Sequence, residues 1–343
     1  MLVLGLESTC DETAAAVVRD GRAILSNVVS SQIDLQREYG GVVPELACRR
    51  HIDVIIPVVK KALEEASLNL KEIDLISVAC CPGLIGALMI GVNTAKALSW
   101  SLGIPFVGVN HVEAHLYAAL MSYSESEISF PCLGAVLSGG HTTLVKMYGV
   151  GQYELISQTV DDALGEAFDK VAKILGLTYP GGPIIEKLAH DGDPTKYPFR
   201  SGQVKGDPLA FSFSGLKTAV LYAVKGKGSG YRSPLQIPEE ELCHVAASFQ
   251  QAALRDVVEK TVKAAHLHGC RSVVLGGGVT NNSRLRQMFV ERDASLRYFW
   301  PLGDLTVDNA AMIAGLGYQL FQQRGGDVLD LEASPSARFG GIN

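Results

Sequence analysis

Short apolar runs alternate with longer amphipathic stretches along most of the chain, the pattern of buried strands with helices packed over them. The first run, Leu2-Val3-Leu4-Gly5-Leu6, predicts a buried strand, with Glu7 to Thr13 a polar turn and Ala14 to Val18 a return strand. That turn offers hydroxyls and backbone N–H groups from Ser8, Thr9, Cys10, Asp11 and Thr13, as turns that hold phosphate oxygens or an ion do. An ordinary surface hairpin has the same composition. The unit recurs about 130 residues further on, a sign of internal duplication. There Gly134 to Leu137 is strand, Ser138-Gly139-Gly140-His141-Thr142-Thr143 a small-residue turn, and Leu144 to Met147 the return strand.

Two such units, each opening roughly half the chain, place a phosphate-grasping turn on either side of a cleft. Actin-like ATPases, sugar kinases and Hsp70 chaperones are built this way, which is a likeness of fold and not of function. The fold class expected is therefore α/β, a duplicated actin-like ATPase fold with two α/β domains around a central cleft. Residues 1–131 would form the first domain and 132–323 the second, with 324–343 packing back on the first.

The intervening pattern fills in the rest. Arg50 to Glu65 has helical periodicity, Asp74 to Ala79 is a buried strand, and Cys81 to Gly86 turns into a helix running to about Leu102. Gly83, Gly86 and Gly91 there suit close helix packing better than ligand contact. Ile104 to Val109 is a strand delivering Asn110 to a sheet edge, where ligands gather in open α/β sheets. Val160 to Leu177 predicts one long helix whose acids form a solvated face. Tyr179-Pro180-Gly181-Gly182-Pro183 predicts a demanding turn whose bare backbone lets a ligand approach. Phe211 to Thr218 sets small hydroxyls around Lys217, residues 224–237 read as a mobile loop and 239–267 as helix. Ser272 to Leu275, then Gly276-Gly277-Gly278 and a helix from near Asn281-Asn282-Ser283, read as strand, glycine loop and helix N-terminus, an arrangement that grasps nucleotides.

Asn110 to His115 reads N-H-V-E-A-H. His111 and His115 are four apart, about 40° of rotation on a helix, so both imidazoles project from one face. This is the geometry of a two-histidine metal clamp. Asn110 is also a good N-cap, and Glu113 completes a capping box whatever the histidines do. Asp308 is a natural N-cap for the helix Ala310 to Gln323, and equally a carboxylate available as a third ligand. A His₂-Asp set leaves positions open on Zn²⁺ or Fe²⁺ for a substrate. Metalloprotease chemistry fits poorly, because Glu113 lies about 200° round the helix from His111, away from the metal face.

Composition narrows the class. At 343 residues, 47% hydrophobic and 19% charged, the chain has ample core for two domains and is not disordered. No apolar run approaches the roughly 20 residues that span a bilayer, and the apolar start breaks at once into Glu7-Ser8-Thr9. Seven cysteines without a C-x-x-C pair read as reduced thiols of a cytoplasmic protein, with no membrane role. A net charge of −6 argues against a broad nucleic-acid-coating surface, leaving local patches such as Arg49-Arg50 or Arg284 and Arg286.

The ligand suggested by a metal, two phosphate turns and a glycine loop is an adenylate whose phosphate or acyl group touches the metal. Here several segments recur in one order over nearly the whole chain. They are Glu7 to Thr13, Tyr39-Gly40-Gly41-Val42-Val43-Pro44-Glu45, Asn110 to His115, Ser138 to Thr142, Glu166-Ala167-Phe168-Asp169-Lys170, Tyr179 to Pro183, Phe211 to Thr218 and Asp308 to Met312. Together they resemble the universal tRNA threonylcarbamoyladenosine synthase family, once described as glycoproteases, in its bacterial or organellar form. The resemblance implies transfer of threonylcarbamoyl from threonylcarbamoyl-AMP to N6 of the adenosine following the anticodon, at tRNA position 37, in tRNAs reading ANN codons. It implies His111, His115 and Asp308 as ligands of one divalent metal, Fe²⁺ or Zn²⁺. Substrate contacts would be Val136, Leu137, Ser138, Gly139 and Gly140, with Asp169, Gly182, Glu186 and Asn282. ATP or ADP could occupy the adenylate's place. Asp11 and Glu12 are the candidates for the base that takes the proton from the amine, against a reading in which they only shape the turn. The implied partners are tRNA, a smaller actin-like paralogue (TsaB type) and a P-loop ATPase (TsaE type). The stripe Ile52, Ile55, Ile56 and Val59 is a candidate docking face, or plain core. The competing functions are a metal-dependent glycoprotease and an actin-like small-molecule kinase or ATPase.

Overall fold

Two five-stranded sheets of one plan make up the computed structural model, which describes residues 1–337 and 339. The first contains β1 (Leu2–Glu7), β2 (Glu12–Arg19), β3 (Ala23–Ser31), β4 (Leu75–Cys81) and β5 (Phe106–Asn110) in the order β3-β2-β1-β4-β5. The second contains β6 (Cys132–Leu137), β7 (Thr142–Gly149), β8 (Gln152–Gln158), β9 (Ser272–Gly276) and β10 (Arg297–Phe299) in the order β10-β9-β6-β7-β8. In each, the opening strand pairs antiparallel with the next, which pairs antiparallel with the third, and two further strands add in parallel. The duplication read from the two strand–turn–strand units is thus a duplication of whole sheets. β3, β8 and β10 had no counterpart in the pattern reading. β3 and β8 are outer strands, half exposed and without a clean apolar run.

The helices are α1 (Ile33–Tyr39), α2 (Pro44–Glu65), α3 (Ile85–Leu102), α4 (His111–Met121), α5 (Leu164–Ile174), α6 (Gly181–Ala189), α7 (Ser214–Lys225), α8 (Leu242–Leu267), α9 (Ser283–Arg292) and α10 (Ala310–Arg324). Period-two alternation sends Leu4 and Leu6 to one face of β1, against Val54, Val58 and Val92 of α2 and α3. Val3 faces the other way, into a core shared with α4, α10 and the inner face of the second sheet, including Val136, Val145 and Val274. The outer face of that sheet, Leu133, Ala135 and Leu137, packs under helices carrying Phe168, Phe249 and Leu285. The result is five layers, with α4 and α10 in the middle between two sheets.

Two glycines set that middle layer. A Cβ on Gly5 of β1 would lie 2.2 Å from the Ala310 carbonyl oxygen, so only glycine lets α10 sit this close to the first sheet. A Cβ on Gly276, at the end of β9, would lie 2.3 Å from the His115 carbonyl oxygen and push α4 off the second sheet. The sequence boundaries place α4 with residues 1–131 and all but the last residue of α10 with 132–323, yet each helix packs on the other half's sheet. Beyond Arg324, Asp327 N donates to the Phe106 carbonyl, Ser334 N to that of Cys80, and Leu331 packs against the core of the first sheet. The final residues, 340–343, lie outside the described residues.

Several expectations are corrected. The helix expected from Val160 to Leu177 spans only Leu164–Ile174, because the Asp161 carboxylate accepts from Phe213 N at 2.8 Å and Ser212 Oγ at 2.6 Å, holding that stretch outside the helix. The turn expected at Tyr179–Pro183 already contains the first turn of α6, where Asp169 Oδ1 accepts from Gly181 N at 2.7 Å and Pro183 needs no donor. The α2 helix starts at Pro44, before the apolar periodicity begins. Asn309, and not Asp308, caps α10, accepting from Met312 N at 3.0 Å. The stripe on α2 divides: Ile55 and Val59 are core, while Ile52 and Ile56 are exposed. Gly86 and Gly91 do serve packing, against Cys48 and Ser8, whereas Gly83 packs on Thr9 and also faces the cleft.

Candidate functional site

The carboxyl ends of β1, β4, β5 and β6 open into one cleft of ≈ 670 Å³. Thr9, Cys10 and Asp11 line it from the first turn, Pro82 to Leu84 from the end of β4, and Ser138 to His141 from the second turn. Gly40, Gly41 and Val42 form another wall, and α5 contributes Glu166, Asp169, Lys170 and Lys173. Arg37 Nε of α1 donates to the Tyr179 carbonyl at 3.1 Å, tying the two sides together beside this cleft.

His111 and Asp308 also line the cleft, and His115 lies directly behind them. Asn110 Oδ1 accepts from Val112 N at 2.9 Å and Glu113 N at 3.3 Å, so α4 begins with His111 as its first residue. Because Asn309 takes the capping position of α10, the Asp308 side chain is left facing the histidines. Asp308 Oδ1 stands 3.6 Å from His111 Nε2 and 3.3 Å from His115 Nε2, and one ligand atom from each residue falls within 4.8 Å of the others. His115 is fully buried, and among the described residues its Nδ1 lacks a hydrogen-bond partner while its Nε2 is left with the 3.3 Å contact to Asp308. A buried imidazole so sparsely partnered is costly unless something binds its lone pair. Two imidazole nitrogens and one carboxylate are the donor set of a Zn²⁺ or Fe²⁺ site with open positions, so these residues fit the metal expected.

The electrostatics agree. Burial alone would discharge His111, but the Glu7 and Asp308 carboxylates outweigh it and raise the imidazole to about 9. Burial likewise opposes ionisation of Asp308, and the His111 and His115 rings hold its carboxyl far below the ordinary range. A cation is thus favoured where these groups meet. His141, in contrast, is pushed down to about 4 by burial and by the neighbouring histidines, so it is neutral. Cys10 keeps its proton because burial, Asp11 and Asp308 all raise its thiol.

Of the remaining residues singled out above, Asp11, Ser138, Gly139, Gly140 and Asp169 lie on the cleft wall. Val136 and Leu137 are buried strand residues leading into the second turn. Burial raises Asp169 to about 6, against the opposing N–H groups of Gly181 and Gly182. Glu186 accepts from Ser283 N and Oγ at 2.8 and 2.6 Å, joining α6 to α9. Asn282 caps α9 through Leu285 N at 2.9 Å and donates to Gln250 Oε1 at 2.8 Å, so both ends of its amide are engaged. Glu12 accepts from Ser31 Oγ at 3.1 Å and is raised to about 10 by burial, Asp11 and Asp308. Among the described residues, Glu12, Gly182, Glu186 and Asn282 do not line the cleft. Pattern reading missed Glu7, His141 and Lys173. A carboxylate ending an otherwise apolar strand was the available signal for Glu7.

Comparison with known proteins bears on this site. The family model for tRNA N6-adenosine threonylcarbamoyltransferase matches residues 23–315. The enzyme of that name from Protochlamydia amoebophila is 62% identical over 333 residues, covering 97% of this chain and 96% of its own. The one from Symbiobacterium thermophilum is 49% identical over 341 residues, covering 99% and 97%. Among solved structures, full-length HypF in its phosphate- and nucleotide-bound form superposes with a TM-score of 0.60 at 13% identity, covering 95% of this chain and 47% of that one. The Acidaminococcus fermentans (R)-2-hydroxyglutaryl-CoA dehydratase component A does so with a TM-score of 0.53 at 13% identity, covering 93% and 98%. At such identities the likeness is of fold alone, and that fold is the actin-like one expected from the paired turns. Neither the glycoprotease nor the small-molecule kinase is favoured by these relatives. The chain belongs to the tRNA N6-adenosine threonylcarbamoyltransferase family.

Proposed function

We propose that the cleft carries out the family's reaction with His111, His115 and Asp308 holding one divalent metal, Zn²⁺ or Fe²⁺. As an enzyme of this family the chain transfers a threonylcarbamoyl group to N6 of an adenosine in tRNA. The donor in this reading is threonylcarbamoyl-AMP and the acceptor the adenosine at position 37 of tRNAs reading ANN codons. The observation that supports it is the convergence of three ligand atoms at the floor of a cleft walled by two small-residue turns. A bound divalent ion would supply Lewis-acid polarisation of the carbamoyl carbonyl or charge for the phosphate.

The chain's own residues account for the rest. The backbone of Val136, Leu137, Ser138, Gly139 and Gly140 ends a strand at the cleft and offers close approach to the adenylate's phosphate. Asp169 on the cleft wall, with Gly182, Glu186 and Asn282 outside its present lining, would shape the pocket for ribose and adenine. The N6 amine attacks the carbamoyl carbon, the bond from that carbon to the phosphate oxygen breaks, AMP leaves, and one amine proton must be removed. Of the two acids in the first turn, Asp11 is the better base, since it lines the cleft. Glu12 is raised to about 10 and already holds its proton at neutral pH. Glu12 then serves as a donor that steadies Asp11. ATP or ADP in the same cleft would be held through the same turns.

The working form in this reading is a cytoplasmic complex. A chain of net charge −6 is poorly suited to gripping tRNA alone. A smaller actin-like paralogue and a P-loop ATPase are the proposed protein partners. Ile52 and Ile56 are exposed on α2, as are Ile85 and Met89 on α3, which packs against it, and these are the apolar residues offered to the paralogue in this reading. No described helix is long and apolar enough to cross a membrane.

The test supplies preformed threonylcarbamoyl-AMP and unmodified tRNA to the complex, with the protein stripped by chelator and then reloaded with Zn²⁺ or Fe²⁺. Modified adenosine, read by mass spectrometry of nucleosides, should appear without added ATP and only after reloading. Full activity of a verified metal-free sample would remove the metal from the reading. Phosphorylation of a sugar or cleavage of a peptide with no modified nucleoside would replace the reading altogether.

A further inference from the structure

Glu7 ends β1 with its side chain fully buried, and each carboxylate oxygen has a distinct partner. Oε1 accepts from Thr9 N at 2.6 Å, inside the first turn. Oε2 lies 2.9 Å from His111 Nδ1. Thr9 Oγ1 also approaches that nitrogen, but at 3.4 Å it is the weaker partner. The placement follows from the strand: Val3, Gly5 and Glu7 share the face that meets the middle layer, and Gly5 admits α10 there. Nothing in the reaction above uses this carboxylate.

We propose that Glu7 is a positioning residue for the metal site, holding His111 with its proton on Nδ1 so that the Nε2 lone pair faces Asp308 and the ion. The inference rests on the reading that His111, His115 and Asp308 bind a metal. Its logic is one of donors and acceptors. An ionised carboxylate only accepts, so the nitrogen facing it must carry hydrogen, which leaves Nε2 as the ligand atom. Carboxylates behind metal-bound histidines fix ring orientation and raise ligand basicity in this way. Charge adds to the effect. Asp308 and Glu7 together offset the two positive charges of a divalent ion in a buried place. Among the described residues His115 Nδ1 has no such carboxylate behind it, so the orienting contact falls on His111.

Glu7→Gln separates this role from a general one in folding. Glutamine has nearly the same volume but one acceptor oxygen for two donors. If the amide NH₂ faces His111, Nδ1 must accept, and the hydrogen moves to Nε2, where it blocks the ion. Zn²⁺ affinity of the full chain, measured by competition with a chromophoric chelator, should fall about 10–100-fold in Glu7→Gln. Glu7→Asp, which keeps the charge on a shorter arm, should recover part of that loss. A folded Glu7→Gln protein with wild-type Zn²⁺ affinity would overturn the proposal. Wild-type protein that takes up no Zn²⁺ would overturn it together with the metal reading, whereas normal wild-type uptake with an unaffected variant sinks this proposal alone. Should Glu7→Gln fail to fold, ¹⁵N NMR of histidine-labelled, Zn²⁺-loaded wild type decides the matter. His111 should show hydrogen on Nδ1 and metal on Nε2, and the reverse pattern refutes the role given to Glu7.

Discussion

Replacing Gly5 by alanine tests whether packing within the middle layer places Asp308, the carboxylate proposed to hold the metal. The added methyl would sit 2.2 Å from the Ala310 carbonyl oxygen and 2.9 Å from both Cβ and N of Ala314. Restoring an ordinary contact of about 3.4 Å requires α10 to retreat by about 1.2 Å at its first turn, since a backbone carbonyl cannot rotate aside as a side chain can. Overpacking of this kind costs about 1–3 kcal/mol, and the upper end applies where the obstacle is backbone. Asp308 stands two residues before the start of α10, so it moves with the helix. Ligand distances at a metal site tolerate about 0.2 Å, far less than that retreat. Urea denaturation should therefore show the stability loss, and chelator competition should show at least a tenfold loss of Zn²⁺ affinity in protein that is still folded. A Gly5→Ala protein within about 0.5 kcal/mol of wild type and with unaltered metal binding would refute the placement of Asp308 by helix packing.

On α2, Ile55→Asp buries a charge in the core and should cost more than about 4 kcal/mol, read as loss of the cooperative melt. Ile52→Asp, on the exposed half of the same stripe, should melt like wild type and lose co-purification with the paralogue; retained association would take α2 out of the interface. Asp169 titrates at a raised value of about 6, so it binds its proton more tightly folded than unfolded. Its contribution to stability is full below about 4 and is lost as pH rises through 6. Asp169→Asn should flatten the urea midpoint over that window, and an unchanged slope would show that this group does not govern it. Lys217 Nζ lies 2.6 Å from Asp162 Oδ2, and Lys217→Met should cost about 1–3 kcal/mol while leaving Asp162 paired with Lys170. A neutral result would mean that the segment 211–218 is held by its phenylalanines instead.

What the sequence made legible was whatever a local period or a fixed spacing encodes. The strands around Leu4, Ile76 and Val274 announce themselves as apolar runs, and the histidine pair is a property of one helical turn. Residues brought together from afar left weaker traces. Nothing near Asp161 shows that its carboxylate will be claimed by Ser212 and Phe213, so the helical pattern before Leu164 was misleading. Asp308 reads as the cap of the last helix from its place alone, and the fold gives that role to Asn309, leaving the Asp308 side chain beside the histidines. The apolar stripe on α2 satisfied the helical spacing throughout, yet only the packing of the first sheet decides that Ile55 is inside and Ile52 outside. Asn282 illustrates the reverse case. It follows a glycine loop, where nucleotides are held in other folds, and the fold adds two local partners for its amide, Leu285 and Gln250, that no nearby pattern signals.

The crossing of α4 and α10 makes the two halves interlock. A chain cut between residues 131 and 132 would leave the first half carrying α4 with its apolar side stripped of the sheet it covers. The second half would carry α10 in the same condition, with Val3, Ala14 and Val107 of its partner sheet missing. Neither piece is a complete folding unit, and mixing them should restore structure that neither shows alone. The histidines come in on one exchanged helix and Asp308 on the approach to the other. The proposed ligand set therefore comes together only in a molecule whose halves have already clasped, so ion uptake at this site, if the proposal holds, doubles as a proof of correct assembly.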